Sequence, residues 1–278
     1  MKIIYLGTPK FSVAILEALI NSDYEVTAVI TNPDAPVGRK QILTPSPVKI
    51  IAEKNKIPVI QPDEMRNFDV DLAIIAAYGK IISKNILDIP RFGTINIHPS
   101  LLPKYRGASP IQNAILNGDK KTGVTIMKLD EEMDHGPILA NSELPIADSD
   151  TYESLSQKLA KIGAELLIKT IPEYISGKIK PIEQKHAEAT YTKIIKKEDG
   201  KIDWSKNAAE IERMTRAFYP WPTAWTTWNG KILKILEAEV RGGSLAIKKL
   251  QLEGGKILSI KEFINGHKDF NYADFMIK

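Results

Sequence analysis

The residues best suited to chemistry lie near the middle of the chain, where Asn96 and His98 stand two positions apart and Pro99 follows. In a strand, side chains at i and i+2 share one face. An imidazole titrates near neutrality and can move a proton, and a side-chain amide can donate to an oxyanion. Since Pro99 ends the strand, we predict a polar reactive centre at a strand terminus.

A third candidate is a carboxylate in the acidic segment at positions 130–134. Asp130, Glu131 and Glu132 suit a solvated turn, whereas Asp134 precedes His-Gly-Pro, a tight turn that could aim its side chain inward. Residue types alone leave Asp134 and Asp130 as equal candidates. The simpler alternative, in which the amide and imidazole only satisfy loop backbone groups, is weakened by their pairing and by this downstream acid.

Length and composition restrict the class of protein. The chain has 278 residues, which suits one large domain and one smaller one. It has no cysteine, which excludes a disulfide framework, a thiolate metal site and a cysteine nucleophile. The N-terminus runs from a short strand into a turn, unlike a signal peptide, and no apolar run reaches the roughly 20 residues of a membrane span. We expect a cytoplasmic protein.

Short apolar runs alternate with helical patterns through the first half of the chain. Strands are predicted over residues 2–6, 25–31, 70–77 and 93–97. This rhythm predicts an α/β fold with a Rossmann-like, mostly parallel sheet, whose strands bind ligands at their carboxyl ends. The turn after the first strand is not Gly-x-Gly-x-x-Gly, which disfavours a dinucleotide cofactor.

The second half changes character after a long amphipathic helix predicted over residues 151–176. We predict a catalytic domain over residues 1–177, a linker over 178–202 and an OB-like β-barrel domain over 203–278. The last domain rests on four predicted strands, at residues 224–228, 231–240, 244–250 and 256–263, with Asn229-Gly230 as a hairpin turn.

Several segments, spread over essentially the whole chain, resemble the folate-dependent formyltransferases, and most nearly the branch that formylates methionyl-tRNA. They begin at Thr31 (TNPD), Leu43 (LTPSPV), Ala76 (AAYGK), Asn96 (NIHPSLLP), Tyr105 (YRG), Thr122 (TGVTI) and Phe218 (FYPWPTAW). The Asn-x-His pair with a downstream Asp is specific to that superfamily, and the TPSP and C-terminal segments narrow the resemblance further.

The resemblance implies that 10-formyltetrahydrofolate donates a formyl group to the amino group of methionine on initiator methionyl-tRNA, for translation initiation. We expect a monomer, and formyl transfer by these residue types needs no metal. The resemblance assigns the catalytic roles to Asn96, His98 and Asp134. The positions that match the folate-binding segments are Ser100, Leu101, Leu102, Pro103, Ala77, Tyr78 and Gly79.

Two features of the sequence indicate that the protein binds tRNA, although both are weaker signals than the motifs of the reactive centre. The resemblance places Arg39 and Lys40 in a loop that approaches the acceptor end of the tRNA, although a solvated loop explains them equally well. Residues 178–278 carry 19 basic and 13 acidic side chains, a net charge of +6, whereas residues 1–177 carry a net charge of −2. This gradient favours a polyanionic partner, but on charge alone a lysine-rich surface that aids solubility is the simpler explanation.

Two other activities use the same centre. One is formyl transfer to an amino sugar attached to a nucleotide, against which the TPSP segment and the basic C-terminal part speak. The other is hydrolysis of formyl-folate to formate, which would need no basic appendage. A module that only binds tRNA or folate would not need all three of Asn96, His98 and Asp134.

Overall fold

The computed structural model describes residues 1–38 and 40–275 and divides into two compact units. The first unit comprises Met1–Ala108, Thr122–Leu144 and Ser156–Tyr191. The second comprises Ser109–Lys121, Pro145–Leu155 and the described part of Thr192–Lys278. Each unit therefore gathers separate stretches of the chain.

The secondary structure follows the predicted alternation in the first half. The strands are β1 (Lys2–Gly7), β2 (Glu25–Ile30), β3 (Ala35–Val37), β4 (Ile42–Thr44), β5 (Val59–Ile60), β6 (Leu72–Ala76), β7 (Thr94–His98), β8 (Arg106–Gly107), β9 (Lys121–Lys128), β10 (Ile138–Pro145), β11 (Tyr191–Thr192), β12 (Ala224–Trp228), β13 (Lys231–Arg241), β14 (Ser244–Leu252) and β15 (Ile257–Ser259). The helices are α1 (Lys10–Ile20), α2 (Pro47–Lys54), α3 (Lys84–Leu87), α4 (Pro110–Leu116), α5 (Tyr152–Ile175), α6 (Ala208–Phe218) and α7 (Ile260–Gly266). Within residues 1–38 and 40–275, no helix combines the length and the apolar character needed to cross a membrane.

A seven-stranded sheet with the order β10-β9-β7-β6-β1-β2-β5 contains β7, the strand of Asn96 and His98. Strands β6, β1 and β2 are parallel neighbours, β7 runs parallel to β6, and β9 runs antiparallel to β7. Near-continuous apolar sequence suits strands that are buried on both faces. The register pairs Gly7 with Ala76 and Ile75 with Asn96, so the segments after β1, β6 and β7 emerge at one edge of the sheet.

The second unit contains a four-stranded antiparallel sheet with the order β12-β13-β14-β15. Asn229 and Gly230 both have positive φ angles, 47° and 72°, as a tight hairpin turn between β12 and β13 requires. A large, mostly parallel sheet followed by a small antiparallel C-terminal one confirms the predicted fold class.

The strand predicted over residues 256–263 was wrong in its second half. There the chain forms α7, because Ser259 accepts a hydrogen bond from the backbone N–H of Glu262 while the Glu262 carboxylate accepts from the backbone N–H of Ser259. This reciprocal pair satisfies two N–H groups that a helix start leaves unpaired, and it outweighs the apolar alternation that suggested a strand.

Replacing the capping serine tests this assignment. Ser259→Ala removes the hydroxyl that caps α7, so the free energy of unfolding should fall by about 1 kcal/mol. The control is Ser176→Ala, since Ser176 is exposed just after α5 and its hydroxyl donates only to the Glu173 carbonyl. Chemical denaturation of both variants provides the comparison, and equal stabilities would contradict the capping role.

Candidate active site

Asn96 and His98 lie on the same side of β7, as their spacing predicts. Both are largely buried, with 9% and 4% of their surfaces exposed. Strand β7 is held between β6 and β9, through partners such as Ile75 and Thr125, so its backbone cannot shift easily. The two side chains therefore occupy fixed positions at the carboxyl end of a central strand.

The Asp134 carboxylate joins these side chains to a third segment. Its Oδ1 accepts a hydrogen bond from Nδ2 of Asn96 at 3.2 Å and lies 3.5 Å from Nδ1 of His98. Its Oδ2 accepts from the backbone N–H of Gly107 at 2.7 Å. One carboxylate thus connects β7, β8 and the turn between β9 and β10, and the side chains of all three predicted catalytic residues meet.

Asp130 takes no part in this cluster. Its Oδ2 lies 2.7 Å from Nδ1 of His135, and its Oδ1 accepts from the backbone N–H of Glu132. These contacts stay within its own turn. The geometry therefore separates Asp134 from Asp130, which the residue types alone do not.

The contacts of the His98 ring fix the position of its hydrogen. Nε2 lies 2.9 Å from the backbone carbonyl of Tyr105, and a carbonyl can only accept, so Nε2 must carry hydrogen. Nδ1 is then the nitrogen with a lone pair in the neutral ring, and it faces the Asp134 carboxylate. A proton taken up at Nδ1 would meet a negative charge, which suits a group that receives a proton during a reaction.

The turn that presents Asp134 has an uncommon backbone. Asp134 has a φ angle of +50°, in the left-handed region, which Asp and Asn adopt more readily than other non-glycine residues. Two residues on, a Cβ atom at Gly136 would stand 2.1 Å from the Lys128 carbonyl oxygen, so only glycine fits there. The left-handed conformation of a non-glycine residue such as Asp134 persists where surrounding contacts hold it.

The predicted folate segment forms a tightly bonded loop after β7. The hydroxyl of buried Ser100 donates to the Lys104 carbonyl at 2.6 Å, and the Thr125 hydroxyl donates to the Ser100 carbonyl at 2.7 Å. Leu102 is also buried, whereas Leu101 and Pro103 are partly exposed. Ser100 and Leu102 therefore shape the loop, whereas Leu101 and Pro103 offer surface to a ligand.

The segment after β6 divides in a similar way. Ala77 and Gly79 are exposed and have positive φ angles of 48° and 82°. Tyr78 packs into the hydrophobic core, where burial raises the pKa of its phenol, and its carbonyl accepts from the side chains of Thr8 and Asn32. Ala77 and Gly79 remain available to a ligand, and the Tyr78 ring supports the fold.

The loop expected to approach tRNA is a short hairpin of β3 and β4. Lys40 is exposed at its tip, and Arg39 lies outside the described residues. The base of the hairpin is fixed by Asp34 and Lys49, whose Nζ and Oδ1 atoms are 2.8 Å apart, and this carboxylate raises the pKa of Lys49. The base is therefore anchored, and the tip projects an exposed lysine.

No sequence signal singled out Gln184, which lies within the predicted linker. It is 4% exposed, and its amide donates to the backbone carbonyls of Asp134 at 2.9 Å and Gly136 at 2.7 Å. Its neighbour in space, Arg106, is 1% exposed and donates to the amide oxygen of Gln184. A lone glutamine in a polar stretch has no pattern that distinguishes it from a solvated residue.

Family models match both parts of the chain. Residues 1–171 match the model described as formyl transferase, and residues 194–244 match that of the formyl transferase C-terminal domain. This chain belongs to the formyl transferase family. The first match contains Asn96, His98 and Asp134.

Relatives of known name cover most of the chain. The methionyl-tRNA formyltransferase of Chloroflexus aurantiacus is 48% identical over 249 residues, which are 86% of this chain and 80% of that protein. That of Bacillus mycoides is 41% identical and covers 96% of both chains.

Solved structures share the fold. WlaRD, a sugar 3N-formyl transferase solved in the presence of dTDP and 5-N-formyl-THF, is 24% identical with a TM-score of 0.68, over 93% of this chain and 97% of its own. The methionyl-tRNA formyltransferase from Clostridium thermocellum is 23% identical with a TM-score of 0.61, over 91% of this chain and 98% of its own.

Two matched substitutions test the choice between the acidic residues. Asp134→Asn keeps the shape but removes the charge that faces His98, so formyl-transfer turnover should fall by about 100-fold or more. Asp130→Asn makes the same change in the same turn and should leave turnover close to that of the wild type. Steady-state rates of both variants decide the matter, and equal losses would contradict the assignment.

Proposed function

We propose that this enzyme transfers the formyl group of 10-formyltetrahydrofolate to the amino group of methionine on initiator methionyl-tRNA. The observation that carries the proposal is the Asp134 carboxylate, which touches the Asn96 amide and faces the His98 ring at the carboxyl end of β7. The acceptor is supported by relatives with 41% to 48% identity that are named methionyl-tRNA formyltransferase.

The three side chains suit attack of an amine on a formyl carbon. A C–N bond forms, negative charge develops on the formyl oxygen, and the amine must lose a proton. The bond between the formyl carbon and the folate nitrogen then breaks, and that nitrogen takes up a proton as it leaves. Asn96 uses one amide hydrogen on Asp134 and has a second to offer to that oxygen. His98 receives a proton at Nδ1, where the Asp134 carboxylate stabilises the resulting imidazolium.

The folate co-substrate supplies the formyl group, and the exposed parts of two loops would hold it. These parts are Leu101 and Pro103 after β7 and Ala77 and Gly79 after β6. Small or apolar side chains on a bonded backbone suit a flat heterocycle, which needs apolar contact and a few fixed backbone groups. Ser100, Leu102 and Tyr78 would act indirectly, by keeping these loops in place.

The tRNA would meet two basic regions. Lys40 lies on the hairpin of β3 and β4, Arg39 is its neighbour in the sequence, and the chain from residue 178 onward carries a net charge of +6. Contacts to phosphates give affinity and orientation without reading sequence. We further propose that the enzyme works as a monomer in the cytoplasm, where charged initiator tRNA is available.

The acceptor is tested by offering the protein 10-formyltetrahydrofolate in three parallel reactions, two with different acceptors and one without any acceptor. Charged initiator tRNA should yield formyl-methionine after deacylation. A nucleotide-linked amino sugar should stay unmodified, and without acceptor little formate should be released. Formylation of the sugar alone, or release of formate at the same rate with and without tRNA, would contradict the proposal.

Electrostatic binding of tRNA predicts a dependence on salt. The logarithm of the association constant should fall linearly with the logarithm of salt concentration, because phosphate contacts release counterions. Lys40→Ala should reduce the slope by about one unit if Lys40 contacts a phosphate. Lys169→Ala, at an exposed position on α5, is the matched control and should not alter the slope. A flat response in the wild type would contradict electrostatic binding.

A further inference from the structure

The segment that follows α5 returns to the turn that carries Asp134. Ile182 forms an isolated antiparallel bridge with Ile138, with N–H to O distances of 2.8 Å and 2.9 Å in the two directions. Two residues later, the Gln184 amide nitrogen donates to the carbonyls of Asp134 and Gly136. Part of the predicted linker thus lies against the turn that carries Asp134.

The orientation of the Gln184 amide is set by its partners. Arg106 donates to Oε1 of Gln184 from Nε at 3.2 Å and from Nη2 at 2.7 Å. A guanidinium can only donate and a backbone carbonyl can only accept, so the amide cannot be flipped without losing all four hydrogen bonds. Because Gln184 and Arg106 are both almost fully buried, water cannot readily replace these bonds.

We propose that Gln184 is a positioning residue for Asp134. By donating to the carbonyls on either side of His135, Gln184 holds the left-handed turn in the conformation that aims the Asp134 carboxylate at Asn96 and His98. Arg106 holds Gln184 in turn. The proposal rests on the proposed function, because positioning matters only if Asp134 serves formyl transfer.

The energetics of the turn explain why such support is needed. A non-glycine residue in the left-handed region costs about 1–3 kcal/mol and persists where its surroundings impose it. The carboxylate end of Asp134 is held by Asn96 and Gly107, and Gln184 holds the backbone end. Replacing Gln184 leaves the carbonyls of Asp134 and Gly136 without its amide donor. The turn then relaxes, and the Asp134 carboxylate moves.

A second contact joins the same two segments and limits the relaxation. The rings of His135 and His186 stack with centroids 3.9 Å apart and planes 5° apart. Nη2 of Arg106 lies 2.9 Å from Nδ1 of His186, and Asp130 pairs with His135. Because this stack keeps the segments together, loss of the Gln184 amide should displace Asp134 without unfolding the turn.

The test uses substitutions that change hydrogen bonding more than volume. Gln184→Met is uncharged and of similar length, but it donates to neither carbonyl. Gln184→Glu keeps an acceptor for Arg106, but a carboxylate oxygen, which cannot donate, replaces the amide nitrogen that faces the two carbonyls. Outer contacts that orient a functional group typically change activity by about 10–100-fold. We therefore expect kcat to fall by this factor with both variants, while the KM for 10-formyltetrahydrofolate stays within about threefold.

The matched control is Asn55→Asp. Asn55 is exposed just after α2 in the first unit and likewise donates its amide hydrogen to a backbone carbonyl, that of Ile51 at 2.9 Å. Its substitution should leave kcat unchanged. Titration with 10-formyltetrahydrofolate shows whether each variant still has a folded donor site, so that loss of turnover is not confused with loss of structure.

A double-mutant cycle distinguishes positioning from general support of the fold. If Gln184 acts through Asp134, adding Gln184→Met to Asp134→Asn should lower kcat by less than threefold more, since contacting residues that act as a unit are not additive. Wild-type kcat in Gln184→Met, or a full additional 10–100-fold loss in the double variant, would overturn the proposal. A wild-type protein that does not formylate methionyl-tRNA would instead overturn the proposed function.

Discussion

The carboxylate of Asp134 is the contact on which the candidate centre depends. It accepts from Asn96 and from the backbone of Gly107, and it faces the only nitrogen of His98 that can take up a proton. One side chain thereby holds the Asn96 amide, the His98 ring and the loop beside them in one arrangement. Such preorganisation lowers the cost of developing charge, because the groups need not reorient during the reaction.

The remainder of the first unit can be understood as support for that contact. The parallel sheet brings the ends of β1, β6 and β7 to one edge, and hydrogen bonds around Ser100 and Tyr78 stiffen two of the loops that leave it. The turn of Asp134 needs a glycine at position 136 because a strand carbonyl lies against it. Support from Gln184 extends the same principle to the segment after α5.

Patterns within one strand or turn were readable from the sequence, and contacts between distant segments were not. The i, i+2 spacing placed Asn96 and His98 together, and the Asn229-Gly230 pair predicted its hairpin. Asp134 and Asp130 look alike in the sequence. The hydrogen bond that distinguishes Asp134 comes from Asn96, which lies 38 residues away along the chain. Gln184 is 50 residues from Asp134, so no local pattern could reveal it. Ser259 differs, because its Ser-x-x-Glu signature was present in the sequence.

We propose that His98 takes part in formyl transfer from a position fixed by Asp134. The most direct measurement is the single-turnover rate of His98→Ala with 10-formyltetrahydrofolate and charged initiator tRNA, combined with the affinity for the folate. We predict that the rate falls by at least about 100-fold while folate binding survives. A rate equal to that of the wild type, in a variant that binds folate normally, would contradict it.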